Sequence, residues 1–273
     1  MANLIVLVVA GGGGAGRPSP GAARAGAGGA GGLVYRDAYV ITTYGSKTVT
    51  VGTGGTPGNS SAATGTNGLN SVFDILTALG GGAGGKFDLV GLDGGSGGGG
   101  GASGAKAGGA GLQPGSASGG FGNAGATGVS TTGGGGGAGG AGGAGIGGAG
   151  KTYTISGASI EYASGGYGDT ARAINIGSGG RMTSTAYDNS FPGENGRVII
   201  RYLTSAFGVC TGGTKTTDGL YTVHSFTSSG TFVVTSSPKG GFSGFSPWIF
   251  MKDMWEKHNK IFIPKGILIP EGI

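Results

Sequence analysis

The sequence predicts a mainly irregular and β fold, in which short antiparallel strands support a bundle of polyglycine II helices and little α-helix is present. Three observations lead to this prediction. Glycine accounts for 73 of the 273 residues. Apolar, β-prone runs stand on both sides of the glycine tracts. Within the longest tract, alanine recurs every third residue.

The longest tract, residues 133–150, reads GGGGGAGGAGGAGIGGAG, and Ile146 is its only side chain larger than a methyl group. Glycine loses the most backbone entropy on ordering and offers nothing to pack, which argues against an α-helix or a two-faced strand. A flexible linker and a left-handed extended helix with three residues per turn remain. The three-residue spacing of Ala138, Ala141 and Ala144 favours the extended helix, because it places their methyl groups along one edge. At about 3.1 Å per residue, this tract would form a rod of roughly 55 Å.

Such extended helices contain no internal hydrogen bonds, so their backbone groups need partners on neighbouring helices or in water. Glycine at two positions in three permits close neighbours on several sides. We therefore expect a bundle of rods held by backbone hydrogen bonds, with further rods at 94–111 and 115–128.

The composition excludes an ordinary globular domain, because average glycine use is about 7%. Collagen is excluded as well, since there are 9 prolines and no strict Gly-X-Y repeat. Low-complexity disorder is the competing interpretation; 37% hydrophobic and 11% charged residues argue against it. The net charge of +5 is scattered and does not indicate nucleic-acid binding. A single cysteine, Cys210, cannot form a disulfide framework within the chain.

Several segments have the composition of β-strands. The continuous apolar run at 4–10 predicts a strand buried on both faces. Other strands are expected within 33–51 and 197–203, whereas 152–155 and 159–162 are expected to be short strands or loop edges. We also expect a hairpin formed by 221–226 and 231–234, with a turn at Ser228-Ser229-Gly230. The apolar spacing in 70–79 is helical, but the same segment suits a strand in a β context.

These patterns divide the chain into three parts: a glycine-rich domain with flanking strands at 1–207, a β-hairpin at 208–237, and an apolar aromatic tail at 238–273. In the tail, Ser246 and Pro247 could begin a short helix that includes Trp248 and Trp255. This much apolar surface requires a partner surface, so the tail is interpreted as an anchor.

Four phrases of the sequence resemble the glycine-rich modules of bacteriophage tail-fibre and virion-associated proteins. They are LIVLVVAGGGG at 4–14, KTVTVGTGG at 47–55, GRVIIRYL at 196–203 and GGTKTTDGLYTVHSFTSSGTFVV at 212–234. The resemblance covers about 4–234. It implies a structural or receptor-binding fibre protein, and related phage adhesins fold their glycine tracts into a polyglycine II sandwich.

The order of the phrases differs from that family, in which the hairpin phrase usually comes directly before the LVVAGGGG phrase. Here LVVAGGGG opens the chain and the hairpin phrase stands at 212–234. We therefore consider that the hairpin pairs with the strand at 4–10, either within one subunit or from one subunit to the next.

Motifs for chemistry are weak. Residues 145–152 match the Walker A pattern letter for letter, but that motif requires a preceding strand and a following helix. His224, His258 and Cys210 show no metal-ligand spacing, and no base accompanies the cysteine. We predict a small buried Cys210, a surface or packing role for His224, no cofactor, no metal and no enzymatic activity.

A binding surface is more plausible than an active site. Aromatic anchors beside arginine are common at recognition surfaces, and the loops within 162–194 supply both. The candidate receptor-binding residues are Tyr162, Tyr167, Arg172, Arg181, Tyr187 and Phe191. The alternative is that these aromatic side chains cover the ends of the rods. Candidate contacts with other subunits or partners are Tyr221, Phe226, Phe232, Trp248, Phe250, Trp255 and Phe262.

The sequence and the resemblance lead us to expect a non-enzymatic structural virion protein, a phage fibre or adhesin subunit that is made in the host cytoplasm and located in the virion. The expected partners are copies of itself, other virion proteins, and a host-surface glycan or outer-membrane protein. Nucleic-acid binding and membrane embedding are not expected. The alternative is a non-viral extracellular glycine-rich filament or an ice-binding protein.

Overall fold

The computed structural model describes residues 3–18, 24–59, 63–168, 174–182, 190–207 and 209–234. Within them, twelve strands and one short 3-10 helix at Gln113–Gly115 form the regular structure. The strands are β1 (Asn3–Val9), β2 (Leu33–Val40), β3 (Gly45–Thr50), β4 (Ser71–Phe73), β5 (Leu76–Ala78), β6 (Lys151–Tyr153), β7 (Ile160–Tyr162), β8 (Arg197–Leu203), β9 (Cys210–Thr211), β10 (Thr214–Asp218), β11 (Tyr221–Phe226) and β12 (Gly230–Val234). The prediction of short antiparallel strands with little helix is confirmed.

Two five-stranded antiparallel sheets form a sandwich. The first has the order β10-β11-β8-β1-β2 and the second β5-β4-β3-β12-β9. Alternate side chains of the first sheet, such as Val6 and Ile200, face the second sheet, where Phe73 and Phe232 meet them. All four of these side chains are buried. The sandwich is therefore held together by packed apolar side chains, as in other aligned sheet pairs.

The first sheet is buried on its other face as well. Leu7 and Ile199 pack there against Ile155 and Tyr162, which belong to the region of the β6–β7 hairpin. Burial on both faces explains why β1 is a continuous apolar run rather than an alternating one. The predictions of strands at 4–10 and 197–203 are confirmed, and of the two alternatives for 152–155 and 159–162 the short strands are found.

The glycine-rich residues run as extended segments from the ends of these strands. Segments that exchange backbone hydrogen bonds with one another span 10–17, 24–32, 52–58, 63–69, 79–85, 94–102, 106–112, 121–128, 133–139, 142–150, 163–168, 176–182 and 190–196. Most of their hydrogen bonds join different segments, so the segments form a bundle connected through the main chain.

The hydrogen bonds of the bundle repeat every third residue. In segment 10–17, the amides of Gly11, Gly14 and Arg17 donate to the carbonyls of Leu69, Thr66 and Ala63 at 3.1, 3.0 and 2.7 Å. The intervening amides donate in turn to segments 24–32 and 190–196. Three residues per turn is the repeat of the polyglycine II helix expected from the sequence. The period supports that expectation, and the helical geometry itself stays a prediction.

Segment 10–17 has six neighbours. It donates to 24–32, 63–69 and 190–196, and its carbonyls accept from 52–58, 79–85 and 176–182. Segment 24–32 is also surrounded by six segments. A central segment therefore has its main chain satisfied on every side, largely by other backbone groups.

Packing this close requires glycine. A Cβ atom added at Gly12 would lie closer than 3.0 Å to the carbonyl group of Ser178, and one added at Gly28 closer than 3.0 Å to that of Gly13. Both obstacles are backbone atoms that cannot rotate away. The glycines of the central segments are thus required by steric contact.

The predicted long rods are wrong. Within 133–150, the amide of Gly134 bonds to the carbonyl of Gly143 at 2.9 Å, and that of Gly139 to Ala149 at 2.7 Å, so the tract folds back on itself. Ala138 is buried, whereas Ala141 and Ala144 are exposed, so the three alanines do not line one edge.

The tract at 94–111 also folds back, since the amide of Gly109 bonds to the carbonyl of Gly98 at 2.8 Å, and the 115–128 tract begins with a turn. A rod of the predicted length would extend beyond its neighbours and leave main-chain groups without partners. Short segments joined by turns avoid this.

The predicted hairpin of 221–226 and 231–234 is also wrong. β11 lies in the first sheet and β12 in the second, and the actual hairpin is β10–β11 with its turn at Gly219-Leu220. β11 pairs with β8 rather than with β1, so direct pairing with the strand at 4–10 does not occur within the subunit, and pairing from one subunit to the next stays a prediction. Strands from the predicted 208–237 unit belong to the same sheets as those of 1–207. Segment 70–79 forms the strand alternative, as the β4–β5 pair.

Candidate functional site

The bundle has an end that lies far from the sheets, which we call the tip. Segment 10–17 leaves β1 at Val9 and leads away from it, so Arg17 is at the far end. Neighbouring segments contribute Arg24, Lys86, Lys106, Tyr167, Arg181 and Phe191 to the same end, as their hydrogen bonds with one another and with the far ends of the central segments establish. The tip is therefore formed by the far ends of these extended segments.

Three of the predicted receptor-binding residues come together at the tip. The amide of Met182 donates to the carbonyl of Tyr167 at 2.8 Å, and the amide of Phe191 donates to that of Arg181 at 3.0 Å. The guanidinium carbon of Arg181 lies 3.9 Å from the centre of the Phe191 ring. Tyr167, Arg181 and Phe191 are each partly exposed. A cation stacked on a half-exposed ring gives the tip a rigid amphipathic surface.

The neighbouring side chains anchor this surface. Met182 is buried against Ala15 and Ala25 of the central segments. The Ser190 hydroxyl donates to the carbonyl of Gly16 at 2.8 Å. These contacts fix the two segments that carry Arg181 and Phe191, so both side chains are positioned by the bundle.

The described residues of the tip are predominantly basic. Arg17, Arg24, Lys86, Lys106 and Arg181 lie there, together with the carboxylate of Asp88. Lys86 Nζ pairs with Asp88 at 3.0 Å. The electrostatic potential of this end is therefore expected to favour anions.

Other predicted site residues lie elsewhere. Tyr162 is fully buried in β7 against the first sheet, so its assignment to an exposed recognition surface is wrong. Burial also raises the pKa of its phenol. Arg172 and Tyr187 lie outside the described residues.

The predicted partner contacts are corrected in the same way. Phe226 and Phe232 are buried in the core of the sandwich, where they pack against side chains of their own chain. They are therefore not available to a partner. Tyr221 is partly exposed, and the guanidinium carbon of Arg201 lies 4.2 Å from its ring centre. Trp248, Phe250, Trp255 and Phe262 lie outside the described residues.

The Walker-like match at 145–152 lacks the required context. Lys151 begins strand β6 rather than a helix, and its ammonium lies 4.0 Å from the centre of the Phe121 ring. Phosphate-binding loops depend on amides at a helix N-terminus. The geometry at this position does not provide them.

Cys210 is buried, as the sequence predicted, and His224, for which the sequence allowed either a surface or a packing role, is buried as well. His224 Nδ1 lies 2.7 Å from the carbonyl oxygen of Gly212, and its Nε2 lies 3.1 Å from the Tyr202 hydroxyl. A carbonyl oxygen only accepts, so we assign the proton to Nδ1, and Nε2 then accepts from Tyr202. Burial lowers the pKa of His224 and raises that of Cys210. Among the described residues, no group of acidic, histidine or cysteine side chains could hold a metal ion.

Sequence analysis missed the importance of side-chain amides. The fully buried Gln113 accepts from the amide of Leu79 at 2.7 Å and donates to the carbonyls of Thr77 and Gly119. Asn67 and Asn70 accept from amides of segment 79–85 at 2.8 Å. These side chains occupy positions where a further backbone segment would otherwise be needed. The presence of asparagine and glutamine within glycine-rich sequence was the signal that could have predicted this role.

A family model described as a glycine-rich domain matches residues 1–203, and the chain belongs to that family. The match includes nearly the whole bundle and strands β1 to β8. No curated protein and no solved structure matches the chain. In the described part of the chain, no helix has the length and apolar character needed to cross a membrane.

Proposed function

We propose that the protein is a non-enzymatic structural virion protein, a phage fibre or adhesin subunit that contacts the host surface through its tip. The observation that carries the proposal is the bundle of short segments with a three-residue hydrogen-bond period. A main chain satisfied on every side makes a rigid spacer, and its segments present Tyr167, Arg181 and Phe191 at one end.

The opposite end suits attachment. Strand β12 ends there at Val234, and the aromatic tail at 238–273 follows in the sequence. An assembly partner at this end, either another copy or another virion protein, would leave the tip directed outward. The resemblance of residues 4–234 to glycine-rich phage modules supports the same assignment, with assembly at this end and contact with the host surface at the tip.

The test is binding of the purified, fluorescently labelled protein to a panel of bacterial cells, together with electron microscopy of its assemblies. Arg181→Glu and Phe191→Ala should each reduce binding to a positive strain several-fold, because they remove the two members of the stacked pair. The control is Thr53→Ala, which changes an exposed side chain on the flank of the bundle.

Binding that is insensitive to both tip variants would contradict recognition through the tip. Absence of binding to every strain, combined with inhibition of ice recrystallisation, would favour the non-viral alternative. The exposed Thr53 and Thr56 lie three residues apart on one segment, but Leu69 is exposed on the next segment, which interrupts a threonine face.

A further inference from the structure

The end of the sandwich opposite the bundle, which we call the base, carries a group of exposed apolar side chains. They are Val40 (40% exposed), Tyr44 (54%), Leu203 (38%), Val209 (62%) and Leu220 (76%). Isolated exposed apolar residues are normal on protein surfaces, whereas several at one place indicate a contact surface.

Strand pairing places these five residues at the same end. Val40 is paired with Asn3 at the beginning of β1. Leu203 is paired with Tyr221, and the amide of Thr204 donates to the carbonyl of Leu220 at 2.9 Å. These positions terminate the strands of the first sheet on the side away from the bundle.

The second sheet contributes the other two residues, at the point where β12 ends. Val234 is paired with Gly45 on one side and with Cys210 on the other. Tyr44 and Val209 directly precede these two partners in the sequence. Val234 therefore lies between two strand ends, each of which is preceded by an exposed apolar side chain.

The sequence after that point matches the surface in chemistry. Residues 238–273 contain both tryptophans of the protein, Trp248 and Trp255, together with the apolar runs 261–263 and 267–269. A segment joined to the base by a short linker is present at an effective concentration in the millimolar range. An apolar segment of this kind gains free energy by covering apolar surface within its reach.

We infer that the base is a docking surface for the chain's own C-terminal segment, residues 238–273, which packs on Tyr44, Val209 and the neighbouring apolar side chains in the same molecule. The end of the sandwich opposite the bundle is then formed by the base and the tail together. This inference does not depend on the proposed function, because it concerns a contact within one chain.

Tryptophan fluorescence of the full-length protein tests the inference directly, since both tryptophans lie in the tail. Docking predicts an emission maximum shifted to the blue and acrylamide quenching several-fold weaker than in the denatured chain. Tyr44→Asp, Val209→Asp and Leu220→Asp should each shift the emission to the red and increase quenching, because a carboxylate opposes burial of the indole rings.

The matched control is Val129→Asp, which alters a valine that is 59% exposed and adjoins Gly128, whose amide donates to Lys106 at the tip. It should leave the emission and the quenching unchanged. All four positions are exposed, and far-UV circular dichroism of each variant verifies that the fold is retained.

Three results would overturn the inference. The first is quenching as strong as in the denatured chain, which means that the tail is not docked. The second is protection that none of the base variants reduces, which places the tail elsewhere. The third is protection that disappears on dilution, which identifies a second copy as the partner of the base.

Discussion

The sandwich and the bundle are built on opposite principles within one chain. In the sandwich, side chains such as Val6, Ile200 and Phe232 fill the space between two sheets. In the bundle, the space between segments is filled by the backbone itself, and a single added methyl group has no room at Gly12 or Gly28. Stability therefore depends on the presence of side chains in one region and on their absence in the other.

The difference arises because the backbone groups of the two regions find their hydrogen-bond partners in different directions. A sheet pairs its backbone groups in one plane and gains free energy from apolar burial on its faces. A segment with three residues per turn directs backbone groups to several sides, so it can be surrounded by like segments. Segments 10–17 and 24–32 each have six such neighbours. Bulky residues would prevent that approach.

The largest effect is expected from adding a methyl group to the centre of the bundle. Gly28→Ala should destabilise the protein by more than about 4 kcal/mol, because the new Cβ would overlap the backbone of Gly13 and Gly180. Denaturant unfolding followed by circular dichroism measures the change. Gly115→Ala is the control, since a Cβ atom added there would have no neighbouring atom within 4 Å. Equal stabilities of the two variants would contradict close packing of the central segments.

The sandwich should respond to the opposite change. Ile200→Ala removes buried volume between the sheets and should destabilise by about 3 kcal/mol. Ile75→Ala, at the exposed turn between β4 and β5, should change stability by less than about 0.5 kcal/mol. The same unfolding measurement applies. A negligible effect of Ile200→Ala would mean that apolar packing does not hold the sandwich.

The junction between the two regions depends on Gln113. Gln113→Leu should destabilise by about 2 kcal/mol, because it leaves the amide of Leu79 without its acceptor and removes the Gln113 donor to the carbonyl of Gly119. Hydrogen exchange should accelerate at Leu79 more than in segment 10–17. The control is Gln113→Glu, which retains an acceptor for Leu79 but loses the donors. Gln113→Glu should protect the Leu79 amide from exchange better than Gln113→Leu does. Equal exchange of that amide in both variants would exclude Gln113 as its acceptor.

Acid should weaken the sandwich before the bundle. Burial lowers the pKa of His224 in the folded state, and Lys215 lowers it further, while the hydrogen bond to Gly212 opposes this. The unfolded chain therefore binds a proton that the folded chain does not. The stabilisation is fully present above the ordinary histidine pKa of about 6.5 and is lost as the pH falls below it, by at most about 1.4 kcal/mol per pH unit.

Equilibrium unfolding between neutral and mildly acidic pH measures this slope. His224→Gln should flatten this slope. Hydrogen exchange at the lower pH, corrected for the intrinsic rate, should increase in β11 and β9 before it increases in segment 24–32. A slope retained in His224→Gln would assign the proton uptake to another group.

Local sequence was a sound guide wherever side chains carry the pattern. The apolar run of β1 and the alternation in β3 predicted their strands, and the buried position of Cys210 was also predicted. Of the tip residues, Tyr167, Arg181 and Phe191 were correctly grouped. Tyr162 was assigned to the wrong end because it is close to Tyr167 in the sequence. That closeness does not reveal that the segment between them runs from the sheet to the tip.

The sequence alone determined the composition of the two regions: glycine where backbones touch, and apolar β-formers where sheets pack. It also determined the three-residue period, because that period belongs to the extended glycine chain. Only the tertiary structure decided the length of each segment, the sheet to which β11 and β12 belong, and the clustering of apolar residues at the base. Glycine tracts contain no side chains that specify where they turn. Those features therefore depend on which distant backbone groups become hydrogen-bond partners.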